Sequence, residues 1–377
     1  MRIGFDGKRA VQNFTGLGNY SRYVADILCH FYPENDYVLY APKKRENKRM
    51  NLLTGQYRQL TLAYPATFFW KKLSSLWRVW GITSQLEKEG IELFHGLSNE
   101  LPLNIHKSRI KSIVTIHDLI FLRYPQYYQS IDRKIYTYKF RKACENADKI
   151  IAISECTKRD ITRYFNIPDD KIEVVYQGCD VSFTHPVTEE KKEEVRKKYQ
   201  LPDHYILNVG SIEERKNILA AVQALPMLPQ HIHIVIVGRR TGYTEKVEQF
   251  IKDNGLGERV HIISNVPFND LPAFYQSAEI FVYPSRFEGF GIPIIEALYS
   301  GIPVVAATGS CLEEAGGPDS IYVNPDDITG LADAFKQIYS NSDKRKNMVE
   351  KGREFAKRFS EKQQSEEIIN IYKKLIR

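Results

Sequence analysis

The sequence predicts an α/β protein with two doubly wound parallel sheets, one in each half of the chain. Two observations predict this fold class. Short apolar runs typical of buried strands alternate with segments of helical periodicity in both halves. The chain also has 377 residues, which is more than one ordinary hydrophobic core organises, so two domains are expected.

The strand-like runs form two groups with a polar segment between them. This segment, residues 180–188, follows a predicted strand and precedes a charged helix that starts near Glu189. We therefore assign residues 1–182 to the first domain and residues 183–360 to the second. The last segment, 361–377, has the apolar spacing of a helix. The predicted strands are residues 37–40, 113–116, 149–153, 205–209, 232–237 and 280–283.

Composition indicates a globular protein of a reducing compartment. Hydrophobic residues make up 43% of the chain and charged residues 26%. No apolar run reaches the roughly 18 residues that span a bilayer, and the N-terminus lacks the apolar segment of a signal peptide. The five cysteines are odd in number and lack metal-binding spacing. We expect a cytoplasmic protein.

Basic residues are concentrated in the first half. Residues 1–178 contain 28 Lys and Arg against 18 Asp and Glu, whereas the rest contains 25 against 28. Residues 68–80 interleave aromatic side chains with cations. This stripe alone favours an ordinary helix that packs on its own sheet, but the added charge asymmetry favours peripheral contact with an anionic membrane at its inner face. No nucleic-acid-binding module accompanies the basic residues, so no nucleic acid is expected as a partner.

Two carboxylates flank a glycine-rich turn in the second half. Glu288 lies in the turn that follows the predicted strand 280–283, and Glu296 lies on the apolar run that opens a helix. Both acids are expected to face one crevice at the carboxyl end of a strand, where open α/β sheets bind ligands. A helix N-terminus there favours phosphate. A sugar nucleotide fits, with hydroxyls for the carboxylates and a diphosphate for the helix end.

This E-x7-E spacing resembles the retaining glycosyltransferases of family 4, also described as group 1, in their mannosyltransferase-like subgroup. Further motifs agree in order: Gly16-Leu17-Gly18-Asn19-Tyr20, His117-Asp118-Leu119, and the segments 153–160, 174–180, 209–217, 236–238 and 301–305. The resemblance implies the GT-B fold, in which two Rossmann-like domains face an interdomain cleft. It assigns the acceptor to the first domain and the nucleotide-sugar donor to the second, with the C-terminal helix 361–377 packed back on the first domain.

The implied activity is retaining, metal-independent transfer of a hexose to a polysaccharide or lipid-linked glycan acceptor, as in lipopolysaccharide synthesis. The Arg-Lys-Asn form of the phosphate loop and the His-Asp-Leu context favour mannose from GDP-mannose. UDP-glucose, UDP-galactose, UDP-N-acetylglucosamine and dTDP-sugars are alternative donors. The other two functions that we consider are a sugar-nucleotide 2-epimerase and a catalytically silent nucleotide-sugar-binding subunit. A glycosidase is disfavoured because it needs no phosphate clamp.

The resemblance also assigns the phosphate-binding residues. Arg215 and Lys216 match the family's Arg-Lys pair, which stabilises the diphosphate leaving group as its charge grows. After Gly210, many relatives have an arginine where this chain has Ser211. We expect Arg215 to supply the guanidinium instead.

The sugar and ribose contacts follow from the two acids. Glu296 matches the residue that accepts hydrogen bonds from ribose hydroxyls, and Glu288 matches the one that accepts them from the transferred sugar. Gly289, Phe290 and Gly291 are expected to offer backbone N–H groups, although the glycines also suit a tight turn.

The remaining candidates lie elsewhere in the chain. His117 matches a histidine beside the donor sugar, and we assign it sugar positioning instead of proton abstraction. Gly16 and Gly18 either let backbone approach the phosphate or acceptor, or form a turn before a helix. Asn265 and Val266 lie where relatives contact the nucleotide base through backbone atoms.

No metal cofactor is expected. The chain has no D-x-D motif, the pair of carboxylates with which other transferases hold a hard cation against phosphate. The basic loop and the helix end are expected to take that role. Family precedent is retention by front-face attack, in which the leaving phosphate takes the acceptor proton.

Overall fold

The computed structural model describes residues 1–13 and 16–376. The chain divides into two compact units. Unit 1 comprises Met1–Tyr176 and the segment from Glu361 onward, and unit 2 comprises Gln177–Ser360. The division lies a few residues before the predicted boundary at 182, because the helical turn Val181–Phe183 belongs to unit 2. Phe183 is buried there and packs edge-on against Phe268 and Tyr275.

Unit 1 contains a parallel sheet that, within the described residues, has seven strands in the order β3-β2-β1-β4-β5-β6-β7. The order reverses between β1 and β4, which are neighbours in the sheet. The central strands are buried on both faces, as expected when helices cover both sides of a parallel sheet. The strands are β1 Arg2–Asp6, β2 Asp36–Tyr40, β3 Leu60–Ala63, β4 Leu93–Gly96, β5 Lys111–Ile116, β6 Lys149–Ala152 and β7 Ile172–Val174.

Unit 2 repeats the same winding with six described strands in the order β10-β9-β8-β11-β12-β13, all parallel. Its order reverses between β8 and β11. The predicted fold class, two doubly wound parallel sheets, is therefore confirmed. The strands are β8 Tyr205–Val209, β9 His233–Val237, β10 Val260–Ile263, β11 Ile280–Tyr283, β12 Val304–Ala307 and β13 Ile321–Val323.

Helices connect successive strands and supply the rest of both cores. In unit 1 they are α1 Lys8–Gln12, α2 Gly16–Phe31, α3 Lys48–Gln56, α4 Phe68–Lys72, α5 Ser74–Leu76, α6 Ile82–Lys88, α7 Ile120–Arg123, α8 Ser130–Asn146 and α9 Glu155–Phe165. In unit 2 they are α10 Glu189–Tyr199, α11 Ile218–Ala224, α12 Thr244–Asp253, α13 Leu271–Ser277, α14 Ile292–Ser300, α15 Leu312–Gly316, α16 Ile328–Ser340 and α17 Ser342–Ala356. The last helix, α18 Glu361–Ile376, returns to unit 1.

The aromatic segment 68–80 is not the single helix that its spacing suggests. Helix α4 ends at Lys72, and a π-helical turn, Trp77–Gly81, follows α5. Trp77 is fully buried, whereas Phe68, Phe69 and Trp80 are exposed by 73%, 60% and 48%. The segment therefore has both a core-packing side and an exposed apolar side.

Helix α18 completes the core of unit 1. Its buried residues Ile368, Ile369 and Tyr372 belong to the same apolar cluster as β1 and α2. The hydroxyl of Tyr372 lies 2.6 Å from Nδ1 of buried His95. Nε2 of His95 lies 2.8 Å from the Thr115 hydroxyl on β5. This polar chain ties the last helix to the centre of the sheet.

Helix α2 begins with two glycines that differ in their surroundings. A Cβ atom added to Gly18 would lie 2.0 Å from the Asn13 carbonyl oxygen, whereas one added to Gly16 would meet no atom of the described residues within 4 Å. The Gly18 amide also donates to Oδ1 of Asn13 at 3.2 Å. Gly18 therefore has a packing role.

We expect Gly18→Ala to lower the free energy of unfolding by about 1–3 kcal/mol, because the methyl group overpacks the turn before α2. Gly16→Ala is the matched control and should leave stability unchanged or slightly raise it, since alanine favours a helix more than glycine does. Urea unfolding of both variants measures the difference. Equal stabilities would contradict the packing role of Gly18.

Candidate active site

The candidate site of unit 2 is built where the strand order reverses between β8 and β11. Open α/β sheets bind ligands at such a switch point, beyond the carboxyl ends of the strands. The loop 210–217 follows β8, and the loop 284–291 follows β11. Both loops contain residues that the sequence marks as candidates.

The loop after β8 is tightly constrained. Gly210 has φ +153°, and a Cβ added to the neighbouring Gly238 would lie 1.7 Å from the Gly210 carbonyl oxygen. Asn217 has φ +55°, and its Nδ2 donates to the carbonyls of Pro284 at 3.2 Å and Pro325 at 2.8 Å. These contacts fix the helical turn Glu214–Lys216 just before α11.

Arg215 and Lys216 converge on one carboxylate. The Arg215 guanidinium lies 2.8 Å from Oε2 of Glu288, and Nζ of Lys216 lies 2.9 Å from Oε1. Lys216 also donates to the Tyr283 hydroxyl at 2.8 Å, and Arg215 donates to the Phe287 carbonyl. The three charged side chains are exposed by only 12–15%. Two cations and the Glu288 carboxylate thus share a largely buried site, and Oε2 of the less buried Glu213 lies 3.7 Å from the Arg215 guanidinium at its edge.

The pKa shifts reflect this pairing. Burial alone would raise the pKa of Glu288, but Lys216 and Arg215 outweigh it and lower that pKa to about 2. Burial would likewise lower the pKa of Lys216, but the Glu288 carboxylate outweighs it and raises the pKa. All three groups are therefore charged at neutral pH.

Ser211 plays a different part in the same loop. Its hydroxyl donates to Oε1 of Glu213 at 2.6 Å. The only guanidinium that reaches Glu288 among the described residues comes from Arg215. The expectation that Arg215 supplies the guanidinium in place of Ser211 is compatible with this geometry and stays a prediction.

The backbone of the glycine-rich turn is contacted by the side chain of a residue that the sequence analysis did not predict. Sγ of buried Cys311 lies 3.0 Å from the Glu288 carbonyl oxygen and 2.8 Å from that of Phe290. The Phe290 ring is buried against Phe359. Gly291 has φ +154° and caps the start of α14. Gly289 lies between these anchored positions.

Glu296 lies on α14 in a different environment from Glu288. Its Oε2 accepts a hydrogen bond from the Tyr275 hydroxyl at 2.6 Å. Burial, together with a smaller effect of Asp180, raises the pKa of Glu296 to about 7 against the opposing hydrogen bond from Tyr275. The two acids of the E-x7-E motif therefore have pKa values that their surroundings push apart. Tyr275 was also not predicted, because its role depends on packing between α13 and α14.

The base-contact candidates follow β10 at the edge of the sheet. Asn265 is exposed with φ +59°, and Val266 is half-buried. The backbone at Asn265 thus has a left-handed conformation.

In unit 1, His117 directly follows β5 and is buried. Its Nε2 lies 2.9 Å from the Leu97 carbonyl oxygen, so this nitrogen carries the proton. Burial lowers the pKa of His117 to about 4, partly opposed by the Leu97 contact. Its ring packs edge-on against Tyr20, with centroids 4.6 Å apart. The histidine is therefore neutral at pH 7 and held in one orientation.

Gly16 and Gly18 lie in the first turn of α2 in the same unit.

Within the described ranges 1–13 and 16–376, no group of three or more His, Cys, Asp or Glu side chains is arranged to hold a metal ion.

Two parallel-sheet units with a cation pair at the switch point define a glycosyltransferase of the GT-B fold. Residues 21–183 match the family described as Glycosyltransferase Family 4, and residues 189–355 match Glycosyl transferases group 1. O-antigen chain mannosyltransferase B of Escherichia coli is 30% identical over 289 residues, which is 75% of this chain and 74% of that protein. The chain therefore belongs to glycosyltransferase family 4.

Other similar proteins agree with this assignment. The O-antigen chain mannosyltransferase RfbU of Salmonella typhimurium is 29% identical over 60% of each chain. A glycosyltransferase from Rickettsia africae superposes with a TM-score of 0.79 at 20% identity, covering 100% of this chain and 98% of its own. Anabaena HepE, solved with UDP and glucose, gives a TM-score of 0.77 at 18% identity over 100% of both chains. These structural likenesses show the fold.

The raised pKa of Glu296 predicts a specific pH dependence of stability. Folded Glu296 keeps its proton up to about pH 7, whereas the unfolded chain loses it near the ordinary value of 4.5. Wild type should therefore lose stability as pH rises through this window, by about 1.4 kcal/mol per pH unit from this group. Glu296→Gln removes the contribution, so the variant gains relative to wild type across the window.

Urea unfolding at several pH values measures this difference. Glu245→Gln, an exposed position on α12, is the control and should follow the wild-type curve. Parallel curves for Glu296→Gln and wild type would contradict the raised pKa.

Proposed function

We propose that this glycosyltransferase transfers a hexose, mannose from GDP-mannose, to a lipid-linked or polysaccharide glycan acceptor of the lipopolysaccharide type, with retention of configuration and without a metal ion. The observation that carries the proposal is the convergence of Arg215 and Lys216 on Glu288 at the switch point of unit 2. The similar proteins of Escherichia coli and Salmonella typhimurium are O-antigen chain mannosyltransferases, which supports the choice of sugar and acceptor.

The cation pair suits a diphosphate leaving group. Charge builds on this group as the glycosidic bond breaks, and preorganised donors aimed at that charge lower the barrier. Arg215 and Lys216 are held in place before the ligand arrives, because each already contacts Glu288. The two cations then substitute for the divalent ion that other transferases use to bridge phosphate.

Glu288 has two roles in this proposal. In the free protein it neutralises part of the charge of two buried cations, which would otherwise be costly. The two cations keep its pKa at about 2 in the free protein, so the Glu288 carboxylate is ionised when the donor arrives. It then accepts hydrogen bonds from hydroxyls of the transferred sugar.

Glu296 and His117 position other parts of the donor. Oε2 of Glu296 is occupied by Tyr275, and the remaining oxygen accepts from the ribose hydroxyls. Neutral His117, protonated on Nε2, lies beside the transferred sugar. It orients the sugar and does not abstract a proton.

The remaining candidates act through the backbone. Gly289, Phe290 and Gly291 present N–H groups to the sugar and phosphate, and Ser211 and Gly210 shape the phosphate loop. Asn265 and Val266 contact the base, and Gly16 and Gly18 bring the start of α2 close to the ligand.

Transfer then needs no protein nucleophile. The acceptor oxygen forms a bond to the anomeric carbon on the face from which the phosphate oxygen departs. The electron pair of the broken bond goes to the phosphate, which takes the acceptor proton. Retention follows because attack and departure share one face.

Donor binding without metal tests the proposal. Calorimetric titration of GDP, UDP, dTDP and ADP and their sugar conjugates, in EDTA, should show tightest binding for GDP-mannose. Lys216→Ala should weaken it at least about tenfold, because a charge-assisted hydrogen bond contributes about 1.5–3 kcal/mol. Lys252→Ala, an exposed cation on α12, is the matched control and should bind like wild type.

Three results would change the proposal. Tightest binding of a UDP- or dTDP-sugar would replace the donor within the same chemistry. Binding that requires Mg²⁺, or that is unaffected by Lys216→Ala, would refute the phosphate role of the loop. A new sugar nucleotide formed without acceptor would indicate a 2-epimerase, and donor binding without turnover on any acceptor would indicate a silent subunit.

We further propose peripheral contact with an anionic membrane at its cytoplasmic face through the exposed side of residues 68–80. Phe68, Phe69 and Trp80 are exposed there beside the exposed Lys71 and Lys72. Apolar rings flanked by cations suit the boundary between headgroups and acyl chains. Within the described part of the chain, no helix has the length and apolar content to cross a bilayer.

Vesicle sedimentation tests this contact. Replacing both Phe68 and Phe69 with Ser should lower partitioning to phosphatidylglycerol-containing vesicles at least about tenfold, because burying one Phe contributes about 1.5–3 kcal/mol. Ile131→Ser, at a residue on α8 that is 65% exposed, is the control and should partition like wild type. Equal partitioning of all three proteins would contradict the proposed surface.

A further inference from the structure

A second group of cations lies at the switch point of unit 1. Strands β1 and β4 are neighbours where the strand order reverses. Asp6 ends β1, Lys8 and Arg9 begin α1 one residue later, and Glu100 comes shortly after β4. This is the position at which an open parallel sheet binds a ligand, and the donor diphosphate is assigned to unit 2.

Both carboxylates of this group are already engaged by Arg78. Its Nε donates to Oδ1 of Asp6 at 3.1 Å, and its NH1 donates to Oε2 of Glu100 at 2.6 Å. Asp6 and Arg78 are buried, with side chains exposed by 5% and 11%. Lys139 reaches the same Glu100 oxygen at 3.5 Å. The two acids therefore form their ion pairs with Arg78 and Lys139.

Lys8 and Arg9 remain without such partners. Among the residues that the structure describes, neither side chain forms a hydrogen bond or an ion pair, although both are half-buried. Burial lowers the pKa of Lys8, and repulsion from Arg78 and Arg9 lowers it further, against the attraction of Glu100 and Asp6. Arg9 is also close enough to His117 to lower the pKa of that histidine. Four cations therefore lie near only two carboxylates at this switch point. The cations are Lys8, Arg9, Arg78 and Lys139, and the carboxylates are Asp6 and Glu100.

We propose that Lys8 and Arg9 bind a phosphate group carried by the acceptor, so that the acceptor is a glycan linked to a lipid through phosphate. The inference rests on the proposed function, which gives the donor phosphates to Arg215 and Lys216. A half-buried ammonium without a counterion is costly, and an anion at this place removes the cost. A neutral glycan needs hydroxyl contacts and no excess of cations.

The neighbouring segment fits the lipid part of such an acceptor. Arg78 lies in the turn Trp77–Gly81, which also carries the exposed Trp80. One short stretch of chain therefore joins the cationic edge to the exposed apolar side of residues 68–80. A phosphate at Lys8 and Arg9 leaves the attached hydrocarbon next to a surface suited to it.

Pyrophosphate and farnesyl diphosphate are suitable probes, titrated calorimetrically into protein saturated with GDP so that the donor phosphate site is filled. Both should bind wild type, and the double variant Lys8→Gln, Arg9→Gln should bind at least about tenfold more weakly, since charge-assisted hydrogen bonds are lost. The pair Lys43→Gln, Lys44→Gln changes two cations on the loop after β2 and should bind like wild type. Arg9→Lys, which keeps the charge, should retain most of the affinity.

The outcomes separate this proposal from the donor proposal. GDP affinity should be unchanged in the double variant, and thermal unfolding should verify that it folds. If GDP does not bind wild type, the donor assignment fails, and the same titration in Lys216→Ala still tests Lys8 and Arg9. Unchanged pyrophosphate affinity in the double variant overturns the proposal. So does a loss confined to phosphatidylglycerol vesicles, which would assign these cations to a lipid headgroup.

Discussion

The candidate site of unit 2 depends on one buried charge arrangement, the contact of Glu288 with both Arg215 and Lys216. Removing a partner from such a buried set leaves an uncompensated charge, so the three side chains fix one another. Their positions in turn require the left-handed Asn217, the close approach of Gly210 and Gly238, and the anchored turn after β11. The local backbone geometry of the two loops therefore determines how the charges of the site are arranged.

Much of the fold was predictable because its strands are continuous apolar runs. Residues 205–209 and 280–283 were predicted with the bounds that β8 and β11 have. Strands β3, β10 and β13, which are only partly buried, were not predicted, and neither were the short buried strands β4 and β12. The helix suggested for 68–80 is broken, because Trp77 turns into the core while Phe68 and Phe69 do not.

The candidate site was predictable only where a residue lies in a motif. The motifs predict that Glu288, Arg215 and Lys216 lie in one site. The ion pairs of Glu288 with both cations become visible only in the structure. Cys311 and Tyr275 carry no local signal. Each acts through a contact to a distant segment, the thiol behind the glycine-rich turn and the phenol on Glu296. Lone side chains of this kind are indistinguishable in sequence from ordinary core residues.

Helix α18 has a consequence for biosynthesis. Unit 2 is one continuous stretch, whereas unit 1 takes its last core helix, with Tyr372, from beyond unit 2. Domains on the ribosome usually fold in the order in which they emerge. Here the first domain to emerge lacks its last core helix, and His95 has no hydroxyl from Tyr372 until α18 has been synthesised after unit 2. The second domain is complete before α18 emerges, so the apolar surface that α18 covers in unit 1 stays uncovered while unit 2 is being synthesised.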